Sequence, residues 1–120
     1  MIIREWRGRA NHLRGTAYPK HFRAVVLPEL RRLKGFRGAV LARRKLDDRI
    51  EFVVLTRWDS LESIRSFSGP DLERAVVEPA AAAALVEFDA RVRHYEVVDE
   101  LIDEVADPRA RGLSGIASGP

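Results

Sequence analysis

Three histidines, two tryptophans and no cysteine bound the chemistry open to this 120-residue chain. Without a thiol there is no disulfide, thiolate metal site or cysteine nucleophile. His21 sits beside Phe22 at the edge of a stretch with helical apolar spacing. An imidazole there can take a phenol proton or orient a substrate oxygen, because the ring titrates near neutrality. His94 lies between Arg93 and Tyr95 in a strand-like stretch, and strand alternation puts it on the face of Val92 and Glu96. The same proton-accepting role is open to it, so His21 and His94 are the candidate catalytic residues. His12 falls in a polar loop and is given no role. No two histidines share metal-ligand spacing with a carboxylate, and no metal site is expected. The chain also lacks a glycine-rich phosphate loop and a nucleophile elbow.

Four further residues could hold a substrate. Trp6 lies mid-strand among Arg4, Glu5 and Arg7, and Trp58 ends another strand-like run. An indole at either place can stack on a flat ligand. Phe67 can supply another aromatic wall, and Arg4 can hold an anionic oxygen. Several candidates have a plain alternative: Trp58 and Phe67 as core residues where strand meets helix, His21 as a boundary residue half in solvent, Arg4 as a solvated surface cation.

These residues need elements to position them. Residues 2–9 alternate as a strand does. Asn11 to Gly15 is a polar connector. From Thr16, Tyr18, Phe22, Val25, Val26, Leu30 and Leu33 recur at three- and four-residue steps, the spacing of an amphipathic helix. Pro28 falls inside that pattern and predicts a kink or break near Leu27; Gly35 is the stop. Phe36 to Arg44 and Ile50 to Trp58 form a hairpin around Leu46-Asp47-Asp48. The second of these strands is nearly continuously apolar from Ile50 to Leu55, as in a strand buried on both faces. Asp59 or Ser60 then caps a helix containing Ile64 and Phe67. Gly69-Pro70-Asp71 ends it and opens a short helix to about Val77; Pro79 and Ala80–Ala84 add a turn or two. Arg91 to Val98 is the last strand. The order is β-α-β-β-α-β, an α+β ferredoxin-like arrangement with an antiparallel sheet. One sheet face is left for a partner, which predicts a homodimer through that face. Residues 1–98 read as the domain and 99–120 as a tail, with an acidic helical turn or two around Leu101, Ile102 and Val105 and a mobile end after Asp107-Pro108.

Charge is divided unevenly. Residues 1–45 carry thirteen Lys/Arg against Glu5 and Glu29, while residues 46–98 carry six against eleven acids. The basic residues are scattered over three elements, so mutual neutralisation within the fold is favoured over nucleic-acid binding. No apolar run reaches the ~18 residues of a membrane span. No leader with an apolar core and cleavage site is visible, and a cytoplasmic location is the expectation.

The run Val53-Val54-Leu55-Thr56-Arg57-Trp58-Asp59-Ser60-Leu61-Glu62-Ser63-Ile64-Arg65-Ser66-Phe67 resembles the signature of the antibiotic biosynthesis monooxygenase family. So does Pro28-Glu29-Leu30 through Gly35-Phe36-Arg37-Gly38, and Arg93-His94-Tyr95-Glu96-Val97 matches in place. The resemblance spans roughly residues 1–98. It implies a dimeric α+β barrel with a pocket between sheet and helices in each subunit. It also implies a cofactor-free oxygenase on a small phenol- or quinol-like aromatic, or a non-catalytic small-molecule binder of the same fold. The resemblance sets Trp6, Phe67 and Val77 where the haem-degrading branch of that family uses an Asn, a Trp and a His, so haem is not the expected substrate.

Overall fold

A computed structural model describes residues 1–103. β1 (Ile2–Asn11) leads through a single 3-10 turn (His12–Arg14) to α1 (Ala17–His21). A π-helical turn (Phe22–Val26) and α2 (Leu27–Arg31) continue the same rod. There is no break at Leu27. Its backbone stays helical (φ −59°, ψ −46°), and its N–H reaches back five residues to the Phe22 carbonyl. The widened turn absorbs Pro28, which has no N–H to donate and whose ring crowds the preceding turn of an ordinary α-helix. The chain then reverses at Gly35, which sits at φ 91°.

β2 (Phe36–Lys45) and β3 (Arg49–Trp58) form the hairpin. Ser60 caps α3 (Leu61–Ser68): its side chain accepts from the Ser63 N–H, and the Ser63 hydroxyl accepts from the Ser60 N–H. Such a reciprocal cap contributes ~1 kcal/mol.

The short helix expected after Asp71 does not form. Ala75 N–H bonds to the Ala90 carbonyl and Val92 N–H to the Glu73 carbonyl, so this segment pairs with residues 90–92. α4 (Pro79–Ala83) follows, then the two-residue β4 (Glu87–Phe88) and β5 (Arg93–Glu96). The strand expected from Arg91 to Val98 is present as the shorter β5, and β4 is an extra two-residue strand ahead of it. No helical turn is present at residues 99–103, and Val105 with everything after it lies outside the described residues.

The sheet runs β2-β3-β1, with β4 and β5 sharing the far edge of β1. β4 pairs with Gly8 and Arg9, and β5 with Ile2 to Glu5. Every named pairing is antiparallel. This is the ferredoxin-like α+β fold.

Register decides which residues can meet. Trp6 opposes Val54, and Arg4 opposes Thr56 on β3 and His94 on β5. Since alternate residues share a face, Arg4, Trp6, Val54, Thr56 and His94 all lie on one side of the sheet. That side packs the helices: Trp6, Tyr18, Phe22, Phe52 and Val54 form one cluster, and Leu30, Trp58 and Ile64 a second.

The other side carries Ile3, Val53 and Leu55, half-buried, beside Val40, which is 53% exposed. β3 is thus buried on its helix side, while the opposite side remains partly open in the single chain. Among these residues the Glu51 carboxylate receives Arg44 at 2.7 Å and Arg7 and Arg9 at 3.3 Å each. Those arginines, Arg44 first, hold it below the usual carboxylate range. Arg37 pairs with Asp59 and Arg9 with Asp89. Four cations of the basic first half, Arg7, Arg9, Arg37 and Arg44, thus meet acids of the second.

A candidate ligand cavity between the sheet and the helices

One cavity of about 50 Å³ lies between the helix side of the sheet, α1 and the extended segment 76–78. Arg4, Trp6, Val54 and Thr56 contribute from the sheet, Tyr18 and His21 from α1, and Phe67 from α3. Val76, Val77 and Glu78 close it. Of the six residues selected from the sequence, Arg4, Trp6, His21 and Phe67 converge here; Trp58 and His94 do not line the space.

Trp6 is 9% exposed. Its indole N–H donates to the Asp89 carbonyl at 2.9 Å, which fixes the ring plane. The ring lies over Gly8, where an added Cβ would come within 2.7 Å of it. Tyr18 packs beside Trp6 with ring centroids 5.5 Å apart. Burial pushes the Tyr18 phenol above its ordinary pKa, so at neutral pH it keeps its proton.

His21 ends α1, and its side chain is only 10% exposed. Its Nε2 is buried and has no hydrogen-bond partner among the described residues. The Oε1 of Glu78 stands 3.4 Å away, too poorly aligned for a hydrogen bond but placed to pair with a ring that has gained a proton. A buried polar atom without a partner is uncommon and calls for an explanation.

Arg4 is 4% exposed. It donates to the carbonyls of Leu72 (2.6 Å) and Arg74 (2.7 Å), and its guanidinium carbon lies 5.5 Å from the centre of the Phe67 ring. Burial, with a smaller contribution from Arg74, lowers its pKa to about 10, so it remains charged at neutrality. The solvated surface cation considered from sequence is in fact a buried clamp on the 72–74 loop.

His94 stands behind Arg4. Its Nε2 is 3.0 Å from Arg4 Nη1. A guanidinium has no acceptor, so the imidazole accepts and its own hydrogen is on Nδ1. The lone pair a general base needs is already engaged. Trp58 is completely buried, and its indole N–H donates to Thr56 Oγ1 at 2.8 Å. It supports a lining residue from below and packs against Phe36 and Phe67.

Tyr18, Thr56 and Glu78 were not selected from the sequence. Tyr18 carried a signal, since it precedes His21 by three positions and shares its helix face. Glu78 carried none, because its place depends on how the segment from 70 to 78 folds back.

The cavity holds on the order of a few waters. A drug-sized ligand needs ~300–1,000 Å³. Phe67, Val76 and Glu78 are also the wall of an open groove of about 420 Å³ on the α2 side. Displacing that shared wall joins groove and cavity into a space of the required size.

A two-layer ferredoxin-like α+β domain with a cavity between sheet and helices is a broad structural class. Within that class the chain belongs to the antibiotic biosynthesis monooxygenase family, whose sequence profile matches residues 1–79. Its fold is similar to that of a candidate antibiotic biosynthesis monooxygenase from Bacillus cereus, with a TM-score of 0.62 and 16% identity over 85% of this chain and 97% of that one. No curated protein sequence matches it. Trp6, Phe67 and Val77, the positions set against the haem-site residues of the family's haem-degrading branch, all line the cavity.

Proposed function

We propose that the protein is a cofactor-independent monooxygenase acting on a small phenol- or quinol-like aromatic. The observation that carries this reading is the cavity itself, where Trp6, Tyr18 and Phe67 line the same space as His21, whose buried Nε2 has no hydrogen-bond partner among the described residues. Flat faces suit a flat substrate, and a free imidazole nitrogen suits removal of its acidic proton. The deprotonated aromatic is the electron donor to oxygen. One oxygen atom enters the ring as a carbonyl and the other leaves as water. Glu78, 3.4 Å from Nε2, balances the imidazolium formed. Trp58 and His94 act at one remove, through Thr56 and Arg4.

The working unit in this reading is a homodimer joined through the open sheet side. The apolar residues Val40, Val53, Leu55 and Ile3 on that side support it. The test is turnover of a panel of anthrone- and quinol-type compounds in air and under argon, with chelator present. Air-dependent product formation supports the reading. A panel with no oxygen-dependent product sinks it and leaves a ligand-binding protein of the same fold.

A further inference from the structure

Arg4 differs from the arginines around it. Arg7, Arg9, Arg37, Arg44 and Arg91 each meet a carboxylate. Arg4 is more buried than any of them, yet among the described residues its partners are all neutral: two carbonyls, the His94 lone pair and the face of Phe67. A second guanidinium, Arg74, acts on it and is itself bonded to the Ser68 carbonyl. Carbonyls solvate a buried cation but do not neutralise it, and an unpaired buried charge is unfavourable until a counter-charge arrives.

We propose that the cavity is an anion site, taking an aromatic ligand that carries a carboxylate-type group seated on Arg4. This rests on the cavity being the ligand site and adds the charge of what enters it. Of the five guanidinium N–H groups, three are used by Leu72, Arg74 and His94. The Nε–H and one Nη2–H remain, two donors that suit the two oxygens of a carboxylate. Glu78 is the one carboxylate among the lining residues. It stands against His21 and is 38% exposed, so it faces solvent and the imidazole. Glu73 acts on His94 from the loop side.

The test is equilibrium binding of charge-matched pairs, benzoate with benzamide and 2-naphthoate with 2-naphthamide, by calorimetry under argon at pH 7.5. In the unaltered protein the acid of at least one pair binds ten or more times tighter than its amide. Arg4→Gln removes that preference. Arg4→Lys, which keeps the charge but not the fork, weakens the acid severalfold and leaves the amide unchanged, and it decides the matter if Arg4→Gln fails to fold. Amides binding as tightly as acids, no acid binding at all, or an acid preference that survives loss of Arg4 overturns the proposal. An acid preference without oxygen uptake on any substrate would retire the monooxygenase reading and leave the anion site standing. Oxygen uptake on neutral phenols with no acid preference would do the reverse.

Discussion

Arg4 Nη1 lies 3.0 Å from His94 Nε2, and that contact requires a neutral imidazole with its hydrogen on Nδ1. Burial, then the charge of Arg4, holds the His94 pKa below its ordinary 6.5, against a smaller opposing effect of Glu73. The folded pKa is below the unfolded one, so the unfolded chain binds more protons between the two values. The stabilisation is complete above about pH 6.5 and is lost as pH falls through the folded value. The melting temperature should decline from pH 6.5 downward, and His94→Gln should flatten that limb. Thermal unfolding followed by circular dichroism from pH 7.5 to 5 checks this; carboxylates such as Glu51, held below their usual range, titrate lower still. An unchanged slope in His94→Gln counts against the assignment.

The two tryptophans occupy unlike places, Trp6 on the cavity and Trp58 beneath it. With 5-fluorotryptophan incorporated, the chain gives two fluorine resonances. An aromatic ligand should move the Trp6 signal by more than the Trp58 signal, assigned by Trp6→Phe. A larger shift at Trp58 would place the ligand elsewhere.

Phe67 stands between the small cavity and the open groove. Phe67→Ala should speed ligand association, measured by stopped-flow fluorescence. Because Phe67 is only half-buried, its stability loss should fall below the ~3–5 kcal/mol typical of a fully buried Phe.

Gly35 holds φ 91°, and a Cβ there would lie 2.4 Å from the Ser63 Cβ. Gly35→Ala combines backbone strain with a clash at the capped start of α3. A loss of roughly 1–3 kcal/mol follows, readable by urea unfolding, whereas the same change at Gly38, where an added Cβ would meet nothing closer than 3.9 Å, costs little.

Much of this was readable in advance. β1, β2, β3 and α3 declare themselves through period and caps, and they carry Arg4, Trp6, Thr56 and Phe67. The 70–78 segment misled because Pro70-Asp71 looks like a helix start. The helix is pre-empted from outside: the Leu72 and Arg74 carbonyls, which a helix needs, accept from Arg4. That competition is between residues 68 and 70 positions apart, beyond any local pattern. The fate of His94 was hidden for the same reason. Its strand face was predictable, but the donor awaiting its lone pair was not.

The central claim is tested most directly by oxygen uptake on the best substrate of the panel, with chelator present, in the unaltered protein and in His21→Ala. The account predicts one O₂ consumed per product formed, and a fall of ~100-fold or more in kcat when the imidazole is removed. Oxygen uptake that persists undiminished in His21→Ala, with the variant folded and binding ligand as before, would contradict it.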